Sequence, residues 1–145
     1  MEFIKFEHEH IYEVKKWAEH ESIKNWIGIE DWEMYYKYAN GNEKTFLFAI
    51  YKGKDFIGEF TAENDDDCLH ICLIINPQFQ NRGFGVEALN YFSKNVYSLT
   101  GIHPKYLHAG IFNKNIASIK CFEKAGYISH GVDKDGEERY LYIYK

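Results

Sequence analysis

An abrupt change from an apolar to a polar, glycine-containing segment near the middle of the chain restricts its possible folds more than any other feature. The apolar run Cys68–Ile75 predicts a buried strand, a polar segment follows, and Gly83-Phe84-Gly85 opens a helix. The apolar positions of that helix recur at helical spacing: Val86, Leu89, Phe92, Val96 and Leu99. A strand that runs directly into a helix leaves the first N–H groups of the helix unpaired, and these groups and the helix dipole favour an anion. The segment therefore predicts a phosphate-binding loop.

The other elements place this loop within a mixed fold. Apolar periodicity and turn residues predict the order β-α-α-β-β-β-α-β-α-β-β, with an acidic loop over Glu63–Asp67 before the third long strand. The central β-α-β unit is expected to be a right-handed parallel crossover. The pattern predicts an α/β (α+β) fold with about seven strands and about four helices. The helices are expected near residues 8–20, 29–39, 84–99 and 116–124.

Length and charge limit the classes of function. With 145 residues we expect one domain over 1–145, and a net charge of −5 argues against nucleic acid and anionic membranes as partners. The longest apolar runs are far shorter than the roughly 20 residues of a membrane span. Met1–Lys5 lacks the pattern of a signal peptide, and the cysteines (Cys68, Cys72 and Cys121) suit reduced side chains. We therefore expect a cytoplasmic protein.

Two motifs in the second half of the chain carry a family resemblance. Gln80-Asn81-Arg82-Gly83-Phe84-Gly85 lacks both the P-loop lysine and the third glycine of a dinucleotide fingerprint. It resembles the Gln/Arg-x-x-Gly-x-Gly/Ala signature of the GCN5-related N-acetyltransferases (GNAT). Downstream, the segment from Asn115 to Tyr127 is similar to the Asn-x-x-Ser-x-x-x-aromatic-x-x-x-Gly-aromatic motif of the same family. Asn76-Pro77 before the loop is also typical of it.

The resemblance implies a donor site for acetyl-coenzyme A. The loop residues would bind the pyrophosphate, and Leu73, Ile74 and Ile75 would lie beside the pantetheine arm, in a gap between splayed fourth and fifth strands. A backbone amide of Leu73 or a neighbour would polarise the thioester carbonyl. Asn115 would contact the cofactor, and Phe122 would pack near the sulfur. The implied cofactor-binding set is Leu73, Ile74, Ile75, Gln80, Asn81, Arg82, Gly83, Phe84, Gly85, Val86, Asn115 and Phe122.

The catalytic residues follow the family pattern less closely. Acetyl transfer to an amine needs a proton acceptor and an oxyanion donor. Phe122 stands where the family often has a proton-donating tyrosine, and Gly110 where several relatives have a carboxylate. His70 is our first candidate base because an ordinary imidazole pKa near 6.5 suits water-mediated proton transfer. His108 and Glu59 are the other candidates, and the family also includes members without a dedicated base.

The acceptor side and the competing functions remain open in the sequence. Aromatic residues such as Trp26 and Tyr35 lie among carboxylates in the segments expected to form the acceptor site, which favours a small cationic amine or a peptide N-terminus. The leading prediction is an acetyl-coenzyme A-dependent N-acetyltransferase with direct attack by a primary amine and no metal, as a monomer or homodimer. The alternatives are a non-catalytic acyl-coenzyme A-binding module and an unrelated nucleotide-binding protein.

Overall fold

The computed structural model describes all residues from 1 to 145 and contains one seven-stranded sheet. The strand order is β1-β2-β3-β4-β5-β7-β6. All neighbouring strands are antiparallel except β4 and β5, which are parallel and connected by the crossover helix α4. The strands are β1 Glu2–Lys5, β2 Thr45–Lys52, β3 Asp55–Asp65, β4 Cys68–Ile75, β5 Tyr106–Phe112, β6 Ile128–Val132 and β7 Glu137–Ile143.

Five α-helices cover the two faces of this sheet. They are α1 Ile11–Ala18, α2 Glu21–Lys24, α3 Trp32–Asn40, α4 Phe84–Thr100 and α5 Ile116–Lys124, with short 3₁₀ turns at His8–His10 and Pro77–Phe79. The predicted mixed seven-stranded fold is confirmed, with one more helix than expected. The helix predicted from residue 29 begins at Trp32, because the Asp31 carboxylate accepts the Met34 N–H at 3.1 Å and caps the first turn.

Two apolar cores hold the helices against the sheet. The larger core lies between the sheet and helices α4 and α5 and includes Phe60, Leu69, Leu89 and Phe92. The smaller core lies on the other face, where α1–α3 pack against Ala49 and Ile74. Residues of β4 alternate between these cores because successive side chains of a strand point to opposite faces. Cys68, His70 and Cys72 therefore share the face of Ile74.

The prediction of an acidic loop over Glu63–Asp67 is wrong in its bounds, because the turn is shorter. Strand β3 continues to Asp65, which pairs with Cys68, so only Asp66 and Asp67 form the turn. Asp66 adopts a φ of 52°, a conformation that aspartate tolerates in a tight hairpin. Glu63 thus lies within a strand, opposite His70. No helix of the structure combines the length and the apolar character that a membrane span requires.

Candidate functional site

The main cleft of the protein lies where β4 and β5 part. These strands pair only at Cys68–Tyr106, Leu69–Leu107 and His70–His108, after which each continues without a partner on that side. The predicted splay of the two strands is therefore present. The N–H and C=O groups of β4 that point toward β5 beyond His70 have no strand partner. A cleft of about 750 Å³ occupies this gap and continues past the start of α4 to α5.

The glycine loop forms one end of this cleft. Asn81 and Gly83 have φ values of 61° and 84°, so the chain turns sharply just before α4. No side chain caps α4, and the N–H of Glu87 bonds to the carbonyl of Gly83 in the first helical turn. The N–H groups before Glu87 are thus available to an anion at the positive end of a 17-residue helix. This geometry supports the predicted phosphate-binding loop.

Side-chain contacts hold the loop against its neighbours. The Gln80 side-chain amide donates to the carbonyl of Ile75 at 3.0 Å, which ties the loop to the end of β4. Gly85 lies against α5, where a Cβ would approach the Cys121 Sγ to 2.7 Å. Only glycine allows this separation of α4 and α5 without displacement of the thiol. Gln80 and Gly85 therefore fix the shape of the cleft as well as lining it.

Arg82 differs from the other residues of the predicted cofactor set. All the others line the cleft, whereas the exposed Arg82 lies beside it. Its guanidinium carbon is 5.4 Å from the ring centre of Phe79 and 5.5 Å from that of Phe84. The aromatic rings hold the charge at the loop surface by cation–π contact. Lys120 and Lys124, which the sequence-based set omitted, line the cleft and add positive charge.

Helix α5 forms the wall opposite β4. The Asn115 carboxamide oxygen accepts the Ser118 N–H at 3.3 Å and caps the helix, so this asparagine shapes the wall in addition to facing the cleft. Phe122 is almost fully buried and meets Tyr127 edge-on, with 5.0 Å between the ring centres. The Tyr127 hydroxyl is buried without a hydrogen-bond partner and does not line the cleft. The wall near Phe122 offers no tyrosine proton donor to the cleft.

The two histidine candidates lie together at the closed end of the strand gap. His70 Nδ1 is 2.9 Å from His108 Nδ1, and His70 Nε2 is 2.8 Å from Asp65 Oδ2. Burial, followed by the charge of His70, lowers the pKa of His108. Asp65, Cys68 and His70 bring ligand atoms within 4.8 Å of one another, yet the histidine and carboxylate of this group already satisfy each other. The absence of a metal remains a prediction.

The third candidate, Glu59, is buried in β3 on the same sheet face. Its carboxylate accepts a 2.7 Å hydrogen bond from the Thr61 hydroxyl, which in turn accepts a weaker one of 3.4 Å from Tyr35. Burial raises the Glu59 pKa to about 8, although the Thr61 hydrogen bond opposes the shift. None of His70, His108 and Glu59 lines the cleft itself. Their catalytic roles therefore stay predictions.

Glu137 is the acidic residue of the cleft that sequence reasoning missed. It begins β7, pairs with Phe112 of β5 and places its carboxylate over Gly110. Its position in the cleft follows from the antiparallel pairing of β5 and β7, which no short motif encodes. The signal in the sequence that could have pointed to Glu137 was an acidic side chain directly after the turn Asp133–Gly136.

The segment Trp26–Ile29 between α2 and α3 closes the cleft from the side of the smaller core. Ser22 and Ile23 of α2 line the cleft beside this segment. The cleft therefore extends from the glycine loop to the segment that follows α2.

Comparisons with known proteins agree with this geometry. The sequence matches the family model described as an acetyltransferase (GNAT) domain over residues 2–128, and the chain belongs to this family. This confirms the resemblance seen in the sequence and the prediction of an acetyltransferase enzyme. No curated protein sequence matches the chain significantly.

Solved structures share the fold at low sequence identity. Aminoglycoside acetyltransferase AAC(6')-Ib in complex with coenzyme A and kanamycin has a TM-score of 0.82 at 14% identity, with 97% of this chain and 93% of that one covered. A domain from Methanocaldococcus jannaschii gives 0.79 at 19%, covering 99% and 97%. A point mutant of spermidine N-acetyltransferase SpeG from Vibrio cholerae gives 0.78 at 14%, covering 99% and 95%. Coenzyme A in the first of these agrees with the predicted cofactor.

Proposed function

We propose that residues 1–145 form one catalytic domain that transfers the acetyl group of acetyl-coenzyme A to a primary amine. The observation that carries this proposal is the continuity of the cleft from the uncapped start of α4 to the gap between β4 and β5. A long thioester with a pyrophosphate at one end needs both features. The anion site binds the phosphates, and the unpaired edge of β4 binds the amide-containing arm.

The donor end divides into three parts. Backbone N–H groups from Asn81 to Val86 bind the pyrophosphate, and Arg82, Lys120 and Lys124 add positive charge around it. Leu73–Ile75 lie along the pantetheine arm, and an amide of this segment polarises the thioester carbonyl. Asn115 and Phe122 complete the wall on the side of α5.

The acceptor is a small cationic amine or a peptide N-terminus. Glu63 and Glu137 extend from the same sheet face as the buried Glu59, Tyr35 of α3 reaches Thr61 on this face, and Trp26 in the segment after α2 lines the cleft. Carboxylates and aromatic rings both favour an ammonium ion. Two of the structural neighbours named above are an aminoglycoside acetyltransferase and a spermidine N-acetyltransferase, and both acceptors are amines of this class.

Direct attack needs no covalent enzyme intermediate. The ammonium loses a proton, its nitrogen attacks the thioester carbon, and the tetrahedral oxyanion is stabilised by a backbone N–H. The carbon–sulfur bond then breaks and coenzyme A departs as a thiolate. Phe122 cannot protonate this sulfur, but a thiolate is a fairly good leaving group, so the reaction does not depend on that proton.

The test is release of free thiol from acetyl-coenzyme A in the presence of single amines, including spermidine, kanamycin and short peptides. Turnover with cationic amines and none with neutral or anionic acceptors is the expected result. Coenzyme A binding, followed by calorimetry, should be weakened at least tenfold by Gly83→Val, because the left-handed backbone and the approach of the phosphates exclude a branched side chain.

Gly131→Val provides the matched control for the loop variant. Gly131 also has a positive φ, of 96°, and no atom within 4 Å of an added Cβ, but it lies on the edge strand β6. The control should lose similar stability and keep its affinity for coenzyme A. Equal affinities for the wild-type protein and Gly83→Val would contradict the loop assignment.

A non-catalytic acyl-coenzyme A-binding module is the second candidate. Phe122 at the position of the usual tyrosine favours it, because the α5 wall then offers no proton donor to the leaving sulfur. Tight binding of acetyl-coenzyme A without thiol release for any amine in the panel would identify this function.

A further inference from the structure

Glu137 is the only carboxylate among the residues that line the cleft. The remaining lining residues are apolar, neutral or, in the case of Lys120 and Lys124, positively charged. A single negative group in such a cleft attracts a cation to one particular place. The position of the Glu137 carboxylate therefore indicates where an ammonium ion approaches the bound donor.

The bare backbone of Gly110 makes room for this carboxylate. A Cβ added to Gly110 would lie 2.8 Å from the Glu137 Oε2 and 3.3 Å from its Cδ. Any other residue at position 110 would displace the Glu137 side chain. The pair therefore puts a carboxylate from β7 directly over β5 at position 110. This is the first position of β5 on the face of His108 that is no longer paired with β4.

Cys72 lies opposite this carboxylate across the strand gap. Cys72 and Gly110 are each two residues beyond the last pair, His70–His108, on the same sheet face. The Cys72 side chain lines the cleft, and partial loss of solvation there, followed by the charge of Glu59, raises the pKa of its thiol. Glu137 and Cys72 both line the cleft, so both border the gap in which the thioester would lie.

We propose that Glu137 is the residue that binds the acceptor ammonium and takes its proton. This role rests on the proposed function. One N–H bond of the R–NH₃⁺ group breaks and the proton passes to the Glu137 carboxylate, which leaves R–NH₂ to attack the thioester carbon. The carbon–sulfur bond breaks with its electron pair on sulfur, and the thiolate receives the surplus proton of the new amide nitrogen. Glu137 returns its own proton to water.

The surroundings of Glu137 suit a proton acceptor. Loss of solvation, followed by the charges of Asp133 and Asp135, raises the Glu137 pKa. The Asp133 side chain accepts the Glu137 N–H at 3.1 Å, so the turn before β7 also fixes the backbone. Arg139 lies on the same strand and pairs with Gly110, His108 is the titratable neighbour on β5, and Lys120 and Lys124 of α5 line the same cleft.

The first experiment compares Glu137→Gln with the wild-type enzyme in thiol-release assays across pH. Removal of a general base costs about 10²-fold or more in kcat. We expect that loss, together with loss of the low-pH limb of the kcat profile and an unchanged coenzyme A Kd. Glu138→Gln is the matched control, because Glu138 contacts Ser129 and Tyr140 and does not line the cleft.

The outcomes separate the two proposals. If the wild-type enzyme turns over and Glu137→Gln keeps its rate, the role of Glu137 alone is overturned. The same holds if Glu137→Gln is slower but keeps the low-pH limb of the kcat profile. Failure of the wild-type enzyme to release thiol with every amine would overturn the proposed function and this role together.

A second pair of variants tests the position of the charge. In a Glu137→Gly background, Gly110→Asp places a carboxylate in the volume that the Glu137 carboxylate vacates. We expect at least tenfold higher kcat for this double variant than for Gly110→Asn in the same background. Equal rates for the Asp and Asn double variants would overturn the proposal.

Discussion

Glu59 is a buried carboxyl group whose only hydrogen-bond donor among the side chains is Thr61. Its pKa near 8 means that the native state holds a proton on Glu59 at pH values where the unfolded chain has lost it. Proton linkage then makes the free energy of unfolding fall as the pH rises from about 4.5 to about 8. Stability and the ionisation of this site are thus coupled.

Glu59→Gln removes this dependence, because glutamine still accepts the Thr61 hydrogen bond but does not ionise. We expect the wild-type protein and the variant to have similar free energies of unfolding near pH 4.5. Near pH 8.5 the variant should be more stable by a few kcal/mol, about 1.4 kcal/mol for each unit of pKa difference. Urea unfolding at both pH values measures the difference.

Glu63→Gln is the control for this prediction. Glu63 lies on the same strand and face but is exposed, so its substitution should leave the pH dependence of unfolding unchanged. A Glu59→Gln variant with the same pH dependence as the wild type would show that Glu59 is ionised in the folded protein.

At the scale of elements, the contact of α4 with α5 determines the width of the donor end. Gly85 lies against Cys121 in this contact, where an added Cβ would lie 2.7 Å from the thiol sulfur. Well-packed elements respond to one extra methyl group by displacement of a side chain or of the helix itself. The width of the cleft therefore depends on the absence of a side chain at position 85.

Gly85→Ala should reduce the free energy of unfolding by about 1–3 kcal/mol through overpacking, partly offset by the higher helix propensity of alanine. Cys121→Ala removes the sulfur, so the double variant should regain most of the lost stability. Gly28→Ala is the control, since nothing lies within 4 Å of a Cβ there. Denaturant unfolding of the four proteins forms a double-mutant cycle, and additive changes would contradict direct contact.

At the scale of the whole molecule, the sequence could predict features that lie within one segment of the chain, but not those that the fold brings together from distant segments. The glycine loop and the α5 motif each lie within one short segment, and the family resemblance that they carry implied the splayed strands, so the fold and the place of the cleft were predictable. Glu137 reaches the cleft only because β7 pairs antiparallel with β5 and Gly110 lacks a side chain. Its partner in space is 27 residues away in sequence, and spacing alone does not indicate that contact.

The net charge of the whole molecule likewise does not describe the charges at the cleft. The molecule carries a net charge of −5, yet Lys120 and Lys124 line the cleft and Arg82 lies beside it, whereas Glu137 is the only carboxylate of the lining. A field of this kind attracts a polycationic acceptor over long distances, whereas the anionic donor depends on short-range contacts with the loop.

We therefore expect kcat/KM for a triamine to fall several-fold when ionic strength rises from about 0.02 M to about 0.3 M, because the Debye length shortens from roughly 20 Å to about 6 Å. A monoamine acceptor in the same assay should lose less, since its attraction scales with its smaller charge. Saturating acetyl-coenzyme A throughout removes donor binding from the comparison. The same salt dependence for both amines would show that the net charge of the protein has no part in capture of the acceptor, and that local contacts in the cleft select it.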